Sequence, residues 1–289
     1  MIMDNNICLI TGANSGIGKA AAIQLAQLGF YVLIGSRNKE RGLSAVNDIK
    51  DKSKSDLVEL IEIDMSLKAS ILTATKQIND RFKKLDVLIH NAADFDLSRK
   101  KPILTNEGIE TIWATNHIGP IFLTIQLMDL IKKSEQGRII TVASQGLMLH
   151  PRLTIDLKDP EYKARNFSVS KAYYQSKLAQ VMYTYWLAEN LSDTLITVNC
   201  IRVTNVKIDI KRYPNLSGLM KFMYSIKSLF SISPDEMAKT YMYLATSPDL
   251  NRTTGKYFNE KNKIVNSSAY SKDEKNIEEL MNLTMKYLE

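Results

Sequence analysis

Short apolar runs rich in β-branched residues alternate along the chain with longer stretches whose apolar positions recur at helical spacing. The runs cover 7–10, 31–35, 57–63, 86–90, 138–142 and 194–201. Most are bounded by Gly, Asn, Asp or Ser, and they predict strands. The stretches at 17–28, 39–50, 67–82, 106–131 and 168–190 predict helices. In the last of these, Ala172, Leu178, Ala179, Val181, Met182 and Leu187 supply the apolar positions. Strands that are apolar on both sides and separated by helices predict a parallel sheet covered on both faces. The expected fold is therefore α/β, a single doubly wound parallel sheet of the Rossmann type. No Pro/Gly/Ser-rich linker, repeat or low-complexity tract divides the 289 residues, so one domain over 1–289 is expected.

Composition narrows the class without changing it. With 45% hydrophobic and 24% charged residues, the chain has the balance of a soluble globular protein. The net charge of +7 is spread along the sequence and gives no nucleic-acid footprint, although it suits an anionic phosphate ligand. Arg99-Lys100-Lys101 reads as a solvated basic loop. Cys8 and Cys200 each lie inside an apolar run, where a reduced thiol packs as a small hydrophobe, and a reducing compartment is expected. No apolar run reaches the ~20 residues of a membrane span, and the opening strand is too short for a secretory h-region. A cytoplasmic protein without an integral membrane segment follows as the expectation; the sequence leaves a homo-oligomer open.

The candidate chemistry sits at strand ends. Thr11-Gly12-Ala13-Asn14-Ser15-Gly16-Ile17-Gly18 falls between the first strand and the first helix. There Gly12 permits a tight turn, Gly16 lets the backbone approach a pyrophosphate, and Gly18 allows close helix–strand packing. The helix start, with Asn14, Ser15 and Ile17, offers N–H groups to phosphate. The second strand ends in Ser36-Arg37 with no acid to select a free ribose hydroxyl. Arg37, assisted by Arg41, suits a 2′-phosphate instead, so NADP(H) is the expected cofactor. Asp64 reads equally as an acceptor for an adenine amine and as a local cap. Asn91 and Ala92 follow the fourth strand, where Asn91 is expected to bridge neighbouring strands through both amide ends. His90 reads as a packed histidine. On the long helix, Tyr173 and Lys177 stand four residues apart and share a face. An ammonium there favours phenolate over phenol, which makes Tyr173 a candidate general acid/base.

Together these residues resemble the short-chain dehydrogenase/reductase family. The glycine turn at Thr11 to Gly18, Asn91-Ala92, Asn116 in Thr115-Asn116-His117-Ile118-Gly119, Ser144 in Thr141-Val142-Ala143-Ser144, and Tyr173 with Lys177 occur in the family's order. The stretch Ala172 to Ala179, Gly255-Lys256-Tyr257-Phe258 and Ser36-Arg37 are similar to the retinol-dehydrogenase-like branch. The resemblance implies a carbonyl/alcohol oxidoreductase acting on a small molecule. It makes Tyr173 the proton donor and acceptor, Lys177 its tuner and a ribose ligand, Ser144 a hydrogen-bond partner of the reacting oxygen, and Asn116 the holder of a relay water.

Three positions depart from that family. Ile201-Arg202-Val203-Thr204-Asn205 replaces the usual Pro-Gly, Ile208 stands where a threonine is common, and Ala93 replaces a frequent glycine. These changes favour a non-catalytic NADP(H)-binding sensor as the alternative reading. A substrate-covering segment is expected at about 205–232. Within it Leu219, Phe222, Met223, Ile226, Leu229 and Phe230 form one stripe at helical spacing, which reads as a lid, as core or as a membrane-contacting face.

Overall fold

The computed structural model describes residues 5–207, 228 and 231–289. Seven strands form one parallel sheet: β1 (Ile7–Thr11), β2 (Tyr31–Ser36), β3 (Val58–Glu62), β4 (Val87–His90), β5 (Arg138–Ser144), β6 (Thr197–Val203) and β7 (Lys256–Phe258). Their order is β3-β2-β1-β4-β5-β6-β7. The direction of winding reverses between β1 and β4, the place where strand ends diverge and open a ligand crevice.

Alternate residues of each strand feed two cores. Leu9, Leu33, Ile61, Leu88, Ile139 and Val198 pack on one face. Cys8, Ile10, Val32, Ile34, Ile89, Ile140 and Ile201 pack on the other. The first face is covered by α3 (Lys68–Arg81), α5 (Gly119–Ile131) and α6 (Val169–Asn190). The second is covered by α1 (Gly16–Gln27), α2 (Lys39–Ser53) and α7 (Pro234–Thr246). Both cysteines are buried and free. A short α8 (Ala269–Lys272) and α9 (Glu274–Lys286) close the chain.

Three expectations shift. The helix expected at 106–131 begins only at α4 (Thr111–Trp113), because Thr105, Glu107 and Gly108 form a turn in which Gly108 has a φ of 76°. Glu110 then caps α4, accepting from Ile112 N at 2.9 Å and Trp113 N at 3.0 Å. A π-helical turn, Ala114–Ile118, separates α4 from α5. Second, β6 starts later than expected and runs to Val203, since no proline interrupts its pairing with Ser144. Third, Arg99 is no solvated loop residue: its guanidinium grips Asp94 at 2.9 and 3.2 Å and Thr111 Oγ1 at 2.9 Å. Asp94 pulls it in, whereas Lys100 and Lys101 stay exposed. The apolar stripe at 219–230 and Ile208 lie outside the described residues.

The buried Arg138 ties the sheet to α7. Its guanidinium donates to Leu244 O at 2.9 Å, Ser247 O at 2.8 Å and Asn251 Oδ1 at 2.6 Å. Arg138→Met strands these acceptors, and a buried acceptor without a donor costs about 1–3 kcal/mol. Urea unfolding of this variant is expected to show a loss of roughly 3 kcal/mol. A loss below about 1 kcal/mol would mean that water takes over the three carbonyl contacts.

Candidate active site

The C-terminal ends of β1, β2, β3 and β4 border a cleft of about 590 Å³ lined by Gly12, Asn14 to Gly18, Ser36, Arg37, Asp64 and Asn91 to Asp94, among others. Gly12 and Gly16 have φ of 67° and 59°, in the left-handed region that glycine adopts without strain. A Cβ on Gly12 would also stand 2.8 Å from Ala92 Cα. A Cβ on Gly18 would run into the Asn91 amide. Ser15 precedes α1 without a side-chain cap, and the first turn of α1 has no acid. Asn38 and Ser168, by contrast, cap α2 and α6. The first N–H groups of α1 thus point into a cleft that can supply their acceptor, and such an end favours phosphate. The residues present fit a dinucleotide.

Asn91 fixes the edge of this cleft. Its Nδ2 donates to Thr11 O at 2.9 Å and Gly12 O at 3.3 Å, and its Oδ1 accepts from Tyr241 OH at 3.1 Å. Bridging to β1 uses the nitrogen end alone; the oxygen end reaches α7. Thr11 Oγ1 accepts from Asn91 N and Ala92 N at 3.1 and 3.0 Å. Arg37 and Arg41 are exposed on the lining, and Ser36 is buried with its hydroxyl donated to Asn38 O at 3.0 Å. Asp64 Oδ1 accepts from Ser66 N and Oγ at 2.9 and 2.7 Å. It caps a turn, while Leu67 holds the N-cap position of α3. His90 is buried against Thr124 Oγ1 at 2.7 Å, and burial drops its pKa to about 3.

Of the four residues expected to carry chemistry, Tyr173 and Lys177 lie on α6, and Ser144 and Asn116 lie on elements packed against it. Lys177 is 2% exposed, and its Nζ donates to Val142 O at 2.8 Å. That nitrogen lies 5.7 Å from the Tyr173 ring centroid. Burial lowers the Lys177 pKa to about 8, against a smaller upward pull from Cys200. Ser144 ends β5, two residues past Val142, and its Oγ accepts from Gly146 N at 3.1 Å. Asn116 sits in the π turn. Its Oδ1 accepts from Asp94 N at 2.7 Å, and its Nδ2 donates to Asp94 O at 3.1 Å and Ser176 Oγ at 3.0 Å. Ser176 Oγ in turn donates to Tyr173 O at 2.7 Å. Both N–H bonds of Asn116 are thereby used, which leaves one lone pair on Oδ1 for a water.

Several participants were not foreseen. Phe95 stacks on Tyr173 with ring centroids 4.1 Å apart. It follows Asp94, whose backbone Asn116 holds and whose carboxylate Arg99 holds. No spacing rule announces such a loop contact. Ser176 was within reach of sequence reasoning, because a helical serine commonly bonds a carbonyl one turn back. Beside Asn116, His117 stacks on Trp113 at 4.4 Å and meets Thr284 Oγ1 of α9 at 2.8 Å. Tyr287 OH donates to Glu161 Oε1 at 2.8 Å, and Glu161 Oε2 accepts from Glu110 N at 2.7 Å. The last helix therefore buttresses the π turn. Among the described residues no cluster could hold a metal and no helix is long and apolar enough to cross a membrane.

A parallel sheet wound in this order, with a glycine turn at its switch point, defines a nucleotide-binding α/β protein. Residues 6–153 match the short chain dehydrogenase family. The chain belongs to that family of NAD(P)-dependent oxidoreductases, in its retinol-dehydrogenase-like branch. It is 32% identical to retinol dehydrogenase 14 of Homo sapiens, over 90% of this chain and 79% of that protein. It is 31% identical to retinol dehydrogenase 12 of Mus musculus, over 98% and 86%. A crystal structure of a putative uncharacterized protein from Mycobacterium Paratuberculosis superposes with a TM-score of 0.71 at 23% identity, covering 98% of this chain and 92% of that one. A crystal structure of a putative short chain dehydrogenase from Escherichia coli CFT073 complexed with NADPH does so at 0.65 and 21%, covering 90% and 98%.

The buried ammonium has a titration signature in the cofactor-free protein. Its folded pKa of about 8 lies below the 10.5 of an ordinary lysine. Between these values the unfolded chain binds the extra proton, so this group makes stability rise with pH across that window. Below pH 8 the folded state carries the full cost of a buried charge. Lys177→Met lacks that cost, and its stability relative to wild type should fall as pH rises from about 8 to about 10.5. A difference independent of pH would mean that Lys177 titrates as if solvated.

Proposed function

We propose that the protein is an NADP(H)-dependent oxidoreductase that interconverts a carbonyl and an alcohol on a small, largely apolar molecule. The observation that carries this reading is the buried Lys177 ammonium beside the Tyr173 ring. A charge costs several kcal/mol to bury, and phosphate binding at the glycine turn does not require it there. Its position favours negative charge on the phenol, so Tyr173 can pass a proton to the substrate oxygen during reduction and recover it during oxidation. Ser144 Oγ accepts one hydrogen bond from the backbone, which leaves its O–H to donate to the same oxygen. The bound cofactor supplies the hydride. Lys177 has N–H bonds to spare beyond Val142 O for a ribose hydroxyl. Asn116 contributes by setting the Asp94 loop and Ser176, with one acceptor left for a relay water.

The phosphate-bearing cofactor is supported by Arg37 and Arg41 at the cleft edge and by the absence of an acid at the end of β2. The NADPH complex of the Escherichia coli structural relative is in keeping with it. The names of the retinol dehydrogenases support an apolar alcohol or aldehyde as substrate. The alternative, a non-catalytic NADP(H)-binding sensor, draws on the altered end of β6. A panel of aldehydes and ketones with NADPH separates the two, since a sensor oxidises no NADPH with any of them.

Tyr173→Phe is expected to lower turnover by at least ~10² while NADPH affinity stays within a few-fold, because a general acid/base contributes about 10²–10⁴ in rate. Tyr174→Phe should have a mild effect; the reverse outcome would move the acid/base to Tyr174. For the cofactor, Arg37→Asp should weaken NADPH binding about ten- to a hundredfold and leave NADH binding nearly unchanged. Equal wild-type affinity for the two cofactors, read by fluorescence titration, would remove Arg37 from phosphate recognition.

A further inference from the structure

The arginines of this structure divide by what receives their charge. Arg81 pairs with Glu59 at 2.7 Å, Arg99 with Asp94 at 2.9 Å and Arg165 with Asp156 at 3.5 Å. Arg138 is consumed by three oxygens. Arg202 is different. It is half-buried at the end of β6, and it makes no ion pair among the described residues. Its Nε is buried without a hydrogen-bond partner there, as are those of Arg99 and Arg165, but those two have carboxylates in reach and Arg202 has none among the described residues. The partner of its Nη1 is the Met148 sulfur at 3.0 Å. A thioether is a weak acceptor on a flexible side chain, so it yields readily to an oxygen anion.

The location of Arg202 gives this a meaning. Arg202 pairs in register with Ala143, the residue before Ser144. Met148 belongs to the turn Gln145–Leu149 that Ser144 begins. Gly146 of the same turn lies so close to the Tyr174 ring that a Cβ would overlap it. Thr204, two residues past Arg202, donates to Gln145 Oε1. Arg202 thus stands on the strand beside β5, and its guanidinium reaches the turn through Met148. Ser144 opens the turn whose Met148 touches the guanidinium, so a molecule that takes the place of the Met148 sulfur lies at the turn that begins with Ser144.

We propose that Arg202 is an anion-recognition residue of the substrate site, and that the substrate class is an oxo acid or hydroxy acid whose carboxylate displaces Met148 from the guanidinium. The fork of Arg202 offers two parallel N–H bonds to such a carboxylate. The inference deepens the oxidoreductase reading and rests on it. It also gives the departure at 201–205 a use: an unbroken strand carries a charged side chain to the site where a Pro-Gly turn would bend the chain away.

The test compares aliphatic oxo acids of about six to twelve carbons with their methyl esters, by titration calorimetry with and without NADP⁺ and by NADPH oxidation. Losing a charge-assisted pair corresponds to about ten- to a hundredfold in affinity. The wild type should bind at least one acid tenfold or more tightly than its ester. Arg202→Gln should abolish that advantage and leave ester binding unchanged, and Arg202→Lys, which keeps the charge and loses the fork, should retain part of it. In steady state the loss should appear in KM for the acid, with kcat held within a few-fold. Acid and ester binding within threefold of each other, an advantage that survives Arg202→Gln, or no acid binding at millimolar concentration would each overturn the proposal. An acid preference without NADPH oxidation would leave the anion site standing and sink the oxidoreductase reading. Oxidation with acids and esters alike would do the reverse.

Discussion

Where β1 and β4 part, the sheet must end several backbone groups at once without sealing the opening. Asn91 meets that constraint. One side chain serves Thr11 O and Gly12 O with its nitrogen and Tyr241 OH with its oxygen. The hydroxyl of Thr11 receives the next two N–H groups of the β4 end. Buried polar groups must be paired, so these bonds fix the turn of β1, the loop after β4 and the seat of α7 relative to one another. Gly12 and Gly18 follow from the same crowding, since neither site has room for a side chain.

The loop that Asn91 begins carries this order from the cleft to α6. Asp94 is held by its backbone through Asn116 and by its carboxylate through Arg99. The result is that Phe95 lies on the Tyr173 ring. Two kinds of force are balanced here. Desolvation opposes the charge on Lys177 and, raising its pKa, the ionisation of Glu110. Short hydrogen bonds to backbone groups offset part of that cost at both positions.

The sheet, its winding and the glycine turn were legible because they depend on local rules: the period of apolar residues, the conformational freedom of glycine, and helix spacing. Tyr173 and Lys177 could be placed for the same reason. Arg99 was misread as a solvated basic residue because nothing in Arg99-Lys100-Lys101 tells which of three cations turns inward; Asp94 decides it through the path of the loop. The break in the 106–131 helix was hidden as well. The π turn keeps the apolar spacing nearly intact, and Gly119 at its end leaves no room for a side chain against Met65 O, a contact between distant residues. The partners of Asn116 were invisible for a related reason. An asparagine side chain has four hydrogen-bonding positions, and only the assembled loop says which are filled.

The support of the π turn by α9 bears on how the protein is made. His117 reaches Thr284 across 167 positions of sequence, and Lys68 Nζ meets Tyr287 O at 2.7 Å. A nascent chain can form β1 to β5 and the glycine turn well before these partners leave the ribosome. The cleft residues between Gly12 and Asp94 are therefore made early, whereas the π turn gains its contact with Thr284 only after residue 284 has emerged. The order in which these segments are made puts the support of the π turn among the later contacts to form.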